Sequence, residues 1–404
     1  MISLTLSVYF LIYSHAAVTD MALTLFITLS LFSFYLSVED RESPAEREKR
    51  YIYGFYLFSA FAFLTKGLIG IVFPFGIALL YLSLTEGIGG IRKAFDLKGV
   101  ILFLLVSAPW YGAQLATNGQ EFIRQFFIKH HLTRYTGVIS GHRGPFYYYL
   151  PALLIGMFPW IAFLPAGIKK AFKEKDSLGL FASVWFLFIT VFFSFSTTKL
   201  PNYVLPAIPA ASLLIGMGFA AQHDRQRHYP HVFAAVLAAL AGIGLAIAKD
   251  HTLKFGVVDN GWVAIAALVL LALGALNIYA LFVKKTLYEY MSPLMIVFLL
   301  LLSFKAFPVA NHQSQEALYR FSLYAKERLR NDERIIVYGL NNPSIVFYSG
   351  HKVITVNSEK DLNPLFKRSR AEIAIAKAKD IDTLRKYGFA LLEKEERYAI
   401  LERK

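Results

Sequence analysis

The chain has 404 residues, of which 56% are hydrophobic and 16% aromatic. Only 17% are charged, against about 25% in an ordinary soluble domain, and this balance excludes that class and points to a membrane protein. The formal net charge of +14 does not call for nucleic acid, because basic residues gather at the ends of membrane spans and no basic groove motif with interleaved aromatics is present; the absence of cysteine excludes disulfides, thiolate metal sites and cysteine nucleophiles.

Apolar runs long enough to cross a hydrocarbon core of about 30 Å recur down to Pro308. They do not alternate, so they read as helices, and only helices or closed barrels satisfy every backbone group in lipid. Eleven spans are predicted, over about 2–18, 20–38, 51–64, 68–85, 99–116, 150–168, 178–195, 203–221, 230–248, 262–283 and 290–307. The expected fold is an all-α polytopic bundle of about eleven transmembrane helices over residues 1–310, followed by a small extracytoplasmic α/β domain over 311–404. The chain opens inside its first span, "ISLTLSVYFLIYS", with no basic flank and no small-residue cleavage site, which argues against a signal peptide and for a lost beginning.

The first charge of note is Asp20, in "HAAVTDMALTLF". A carboxylate between two apolar runs is costly unless it is paired, metal-bound or used. Thr19 and Asp20 are also good helix caps, and the two roles are compatible. Lys66, in "FLTKGLIG", lies in a turn so tight that the flanking spans must be neighbours, and Lys199, in "STTKLPNYVLP", occupies a similar short turn. Basic content in "EDRESPAEREKR", "GIRKAFDLK", "KKAFKEKDS", "QHDRQRH" and "VKK" marks one side as cytoplasmic, which puts Asp20, Lys66, Lys199, the loop 116–149 and the tail on the other. Two lysines on that outer side run against the usual bias. Each is a snorkelling cation or part of a site for the phosphate of an anionic lipid headgroup.

The loop between these lysines, "FIRQFFIKHHLTRYTGVISGHRGPFYYYLP", concentrates His130, His131, Arg134, His142 and Arg143 beside Tyr147, Tyr148 and Tyr149. The tyrosines suit an interfacial belt, and cations beside aromatic faces also suit a sugar phosphate. His142 is a weak metal candidate, since one imidazole gives no ligand spacing; a divalent metal is the one cofactor the loop suggests. After residue 310 the apolar runs shorten to "RIIVYGL", "HKVITV", "EIAIAK" and "YAILER", which read as strands, while "SQEALYRFSLYAKERLR" and "DIDTLRKYG" read as amphipathic helices. No phosphate-cradling glycine loop, HExxH pair or GxSxG elbow is present in the sequence.

Four ordered stretches, "HAAVTDMALTLFITLSLFSFY", "FAFLTKGLIGIVFPF", "HHLTRYTGVISGHRGPFYYYLPALLIGMFPW" and "STTKLPNYVLPAIPAASLLIG", resemble the C-type membrane glycosyltransferases related to the bacterial 4-amino-4-deoxy-L-arabinose transferases of lipid A and to protein O-mannosyltransferases. The resemblance implies a multi-pass enzyme of the cytoplasmic membrane. Its partners would be a polyprenyl-phosphate sugar donor, membrane lipids and a lipid A, glycan or protein acceptor on the outer side, with no nucleic acid. Asp20 matches the family's aspartate as a catalytic residue. Lys66, His131, Arg134, His142, Arg143, Tyr147, Tyr148 and Lys199 match positions expected to bind the donor phosphate and substrate, with His142 also a metal candidate. The resemblance further implies two more spans and an acidic outer loop ahead of the equivalent of residue 1. The competing readings are a transporter or flippase for a lipid-linked substrate, and an inactive remnant.

Overall fold

In the computed structural model, which describes residues 2–16, 18–39, 45–124, 144–225, 229–253, 260–283, 288–330, 333–362 and 373–403, the first apolar run is not one helix. It breaks between α1 (Ile2–Thr5) and α2 (Val8–His15) at Ser7. The buried Ser7 hydroxyl accepts from the Phe10 amide at 3.1 Å and donates to the Leu4 carbonyl at 2.9 Å. The Leu6 carbonyl, freed at the break, accepts from the Trp160 indole at 2.9 Å. This satisfies a backbone group that lipid could not.

The helices that follow are α3 (Asp20–Glu39), α4 (Ala45–Lys66), α5 (Ile69–Glu86) and α6 (Leu97–Phe122). From residue 149 on come α7 (Tyr149–Gly156), α8 (Leu164–Glu174), α9 (Ser177–Phe195), α10 (Ile208–Arg225), α11 (Tyr229–Leu253), α12 (Asn260–Val283) and α13 (Tyr288–Leu301). Asp96 and Asp176 start α6 and α9 as side-chain caps, accepting from the Gly99 amide at 2.7 Å and the Gly179 amide at 2.6 Å.

Among the described residues eight helices are long and apolar enough to cross a membrane, or nine if one bent pair is a single span. That differs from the eleven spans expected. The run 2–18 is split at Ser7, and α4 spends its first turns on the charged stretch "AEREKR". The expected span 150–168 is the bent pair: Phe146–Gly156 and Trp160–Glu174 meet at 112°, at a break holding Gly156 and Pro159. A side chain at Gly156 would strike the Tyr9 ring, with Cβ 1.8 Å from Cδ2.

The chain forms two compact units, residues 1–251 with 260–299, and residues 252–259 with 300–404. In the second, a five-stranded sheet has the order β2-β1-β3-β5-β4. Its strands are β1 (Arg334–Tyr338), β2 (Lys352–Val356), β3 (Ile373–Lys377), β4 (Phe389–Lys394) and β5 (Tyr398–Arg403). β1 pairs parallel with β2 and β3, and β5 pairs antiparallel with β3 and β4. Alternation sends Ile335, Val337, Ile373, Ile375 and Ile400 to one face and Ile336, Tyr338, Ala374, Ala376 and Leu401 to the other. After the last span, α14 (Phe307–Asn311) leads into α15 (Ala317–Arg328), followed beyond β1 by α16 (Pro343–Ser349). α15 and α16 cover the first face with Leu318, Phe321, Ala325 and Ile345, and α17 (Ile381–Arg385) covers the second with Ile381 and Leu384.

Candidate functional site

Asp20 is the first residue of α3 and Lys66 the last of α4. Lys66 Nζ donates to Asp20 Oδ1 at 2.5 Å. Asp20 is only 4% exposed, so its carboxylate has left water and has the ammonium and the positive end of α3 in exchange. The α4 end is fixed by backbone geometry. Gly67 takes φ +66° and donates to the Phe63 carbonyl at 2.8 Å, and Phe63 O also accepts from the Tyr111 hydroxyl at 2.9 Å. Three residues on, a Cβ at Gly70 would lie 2.2 Å from the Phe63 nitrogen, so only glycine lets α5 start this close to α4. The Lys66 side chain keeps a quarter of its surface accessible.

Lys199 is 3% exposed, and its ammonium donates to the last carbonyls of α9, Phe193 O at 2.9 Å and Ser194 O at 2.6 Å. Burial pulls its pKa below the usual lysine range. These two bonds occupy two of the three ammonium donors. Lys199 also faces the Tyr149 ring and Lys66 the Tyr203 ring, each ammonium 5.6 Å from the centroid. Phe193 joins the two tyrosines, at 6.3 Å from Tyr149 and 4.9 Å from Tyr203. Gly144 lies against the Lys199 stem and Tyr148, since a Cβ there would sit 2.7 Å from Lys199 Cγ and 3.1 Å from the Tyr148 ring. Tyr13 is near enough to feel the charge of Asp20.

The structure thus gathers Asp20, Lys66, Lys199 and Tyr148 from distant parts of the sequence. Tyr147, expected with them, is exposed. His131, Arg134, His142 and Arg143, with the metal expectation for His142, lie outside the described residues. Among the described residues no three His, Cys, Asp or Glu side chains are grouped to hold a metal ion. Sequence reasoning missed Tyr203 as the face beneath Lys66, and it set Tyr149 among an interfacial belt where the structure buries it beneath Lys199. A tyrosine two residues after Pro201, the proline that breaks the turn, was the one available signal.

Beside this cluster lies a cavity of ≈ 620 Å³. Its wall includes Met21, Thr24 and Thr28 of α3 and, across from them, Leu205, Ile208 and Ser212. Met21 follows Asp20 in the chain and Leu205 is two residues past Tyr203, so the apolar lining draws on the same two segments as the ion pair and its ring.

No family model matches the chain. Known proteins do. An undecaprenyl phosphate-alpha-4-amino-4-deoxy-L-arabinose arabinosyl transferase of Pectobacterium carotovorum is 32% identical over 277 residues, 63% of this chain and 49% of that protein. One of Proteus mirabilis is 29% identical over 249 residues, 60% and 44% of the two chains. A protein of Aquifex aeolicus is 32% identical over 268 residues, 63% and 61%. The chain therefore spans about half the length of the curated relatives it matches. Among solved structures, ArnT from Cupriavidus metallidurans bound to undecaprenyl phosphate superposes with a TM-score of 0.76 at 22% identity, over 99% of this chain and 77% of that one. Its apo state gives 0.75 at 21% identity over the same shares. In sequence the chain is similar to the undecaprenyl-phosphate aminoarabinose transferases, and it shares the fold of the Cupriavidus metallidurans protein.

Proposed function

We propose that the chain carries part or all of a glycosyltransferase that moves a sugar from a polyprenyl-phosphate donor to an acceptor at the outer face of the cytoplasmic membrane. The acceptor is lipid A or another glycan or protein, and the sheet unit lies on that outer side. The observation that carries this reading is the buried Asp20–Lys66 pair at the adjoining ends of α3 and α4, backed by Lys199 and the rings of Tyr149 and Tyr203. Sugar transfer needs this combination. An acceptor oxygen attacks the anomeric carbon, the bond from that carbon to the phosphate oxygen breaks, and the phosphate leaves on its lipid with an added negative charge. The acceptor proton passes to a base or to water.

Lys66 is the accessible cation for the departing phosphate, and Asp20 holds its ammonium in place while orienting the acceptor hydroxyl. Lys199 adds positive charge behind Tyr149. Arg134, from the outer loop, is assigned a headgroup contact by the resemblance alone. The chamber between Met21 and Leu205 suits the donor's first isoprene units, since its volume holds on the order of twenty methylene-sized groups at about 30 Å³ each, the share of a small liquid molecule.

The test is transfer from an undecaprenyl-phosphate sugar in reconstituted vesicles, using a transfer-competent form of the chain. Asp20→Asn, Lys66→Ala and Arg134→Ala should each lower transfer by about 10²-fold or more, with the folded protein retained. Unaltered transfer in all three removes the assignment. Movement of the lipid-linked sugar across the bilayer without transfer would favour a flippase.

A further inference from the structure

The helical run does not end with the last span. From residue 288 to 328 the backbone is helical throughout: α13, a π turn at Leu302–Ala306, α14, a second π turn at His312–Glu316, and α15. Leu300 and Phe304, exposed apolar residues of that span, belong to the same compact unit as α15 and the sheet. Within that unit, the helical continuation sets how far along the axis α15 lies from the end of the apolar stretch.

Tyr319 is eight residues past Asn311, the end of the apolar stretch, which is about 12 Å along a helix axis. Helical side chains lean toward the N-terminus, here back toward the membrane. The phenol therefore reaches for the headgroup layer, which is about 5–8 Å thick on each side. Tyr319 is not alone there. Its ring packs edge-on against Tyr348 of α16 at 4.7 Å, and Tyr348 contacts Phe347 at 5.2 Å. Phe347 is 81% exposed, and Val346 and Tyr319 are exposed beside it. An apolar aromatic cluster held open on a folded domain marks an interaction surface. This one lies on the α15–α16 face of the sheet, with Lys352 exposed just after α16 and Arg328 stacked on Tyr324 at 5.9 Å.

We propose that this Tyr319–Val346–Phe347–Tyr348 patch is a membrane-surface anchor, which seats the sheet unit on the headgroups of the bilayer that the helices cross. Tyrosines with an apolar body and a polar tip, next to cations, are the composition that favours the interface between acyl chains and phosphates. Continuity with the last span favours lipid over a soluble protein partner. The second face of the sheet, the one carrying α17, takes no part in the anchor.

The chain has no cysteine, so single nitroxide labels can be placed without removing native thiols. Full chains carrying Phe347→Cys, Tyr319→Cys or, on the opposite face, Asp382→Cys are labelled and reconstituted in vesicles of phosphatidylethanolamine and phosphatidylglycerol. Collision with dissolved oxygen is then compared with collision with a water-soluble nickel chelate. Labels at 347 and 319 should favour oxygen, as at lipid depth, and the label at 382 should favour nickel. Nickel-dominated collision at 347 and 319, equal to that at 382, overturns the proposal. So does shielding from both reagents, which would mean that protein covers the patch.

Discussion

Asp20 and Lys199 are both buried, and their surroundings solve opposite problems. The Asp20 carboxylate is matched by an ammonium at 2.5 Å, which offsets a desolvation cost of several kcal/mol. Lys199 has dipoles instead of a counter-ion, the last carbonyls of α9, where a cation completes the helix end. Dipoles compensate less, and burial lowers its pKa. The consequence for pH has a definite sign. Between the lowered folded value and the usual lysine value the unfolded chain binds more protons, so stability rises with pH through that window. The penalty is fully present below the folded value. Unfolding midpoints measured from neutral pH to about pH 10 should therefore climb for the native chain, with the climb missing in Lys199→Met; a flat profile in the native chain would show that Lys199 stays charged throughout. All three charges were legible in the sequence because each interrupts apolar runs at a short turn. Their tyrosine partners were not, because a tyrosine within an apolar stretch has the same pattern whether it faces lipid or a cation.

At the scale of elements, the site depends on how closely α4 and α5 approach. Gly67 supplies the left-handed turn and Gly70 the close contact, since any Cβ at 70 meets the backbone of Ala62 and Phe63 at 2.2 to 2.3 Å. Gly70→Ala must push the start of α5 away from the end of α4 and carry Lys66 with it. We expect a loss of about 1–3 kcal/mol in stability from overpacking, together with a fall in sugar transfer close to that of Lys66→Ala, read as product formed in vesicles. Native transfer with lowered stability alone would mean that the Lys66 position tolerates the shift. The elements themselves were legible where chemistry marks both ends, as with the Asp caps of α6 and α9. Elsewhere they were not. Ser7 and the Gly156–Pro159 break lie inside apolar runs, where lipid compatibility hides a bend. "FALLEK" forms β4 without a single β-branched residue, held by its pairing with β5, and "PSIVFYS" forms α16 in a stretch whose β-branched residues suggest a strand.

At the scale of the whole molecule, two solvents have shaped two kinds of core. The helical unit buries large aromatics such as Phe34, Phe55, Phe73, Trp160 and Trp185 and leaves leucines and phenylalanines on its outside, as lipid allows. The sheet unit follows the rule for water, with apolar residues sealed on both faces of a central parallel pair and charges beyond them. Composition places a change in charge density near residue 311, whereas the second compact unit begins at 300 and takes in 252–259 as well. Separate cores predict separate responses to damage. Phe321 is 1% exposed and sits between α15 and the Ile335–Ile373–Ile400 row, so Phe321→Ala should cost about 3–5 kcal/mol in that core. By contrast the Arg320 pairs with Glu393 and Glu395 are half-exposed, and their loss in Arg320→Ala should cost about 1 kcal/mol or less. Hydrogen exchange followed by peptide mass reads both. In Phe321→Ala the amides of β1, β3 and β5 should lose protection while those of α3 and α4 keep it, because no part of the α3–α4 contact passes through the sheet's core. Equal loss in α3 and α4 would show that the two units unfold as one cooperative body and would tie the Asp20–Lys66 pair to the integrity of the sheet.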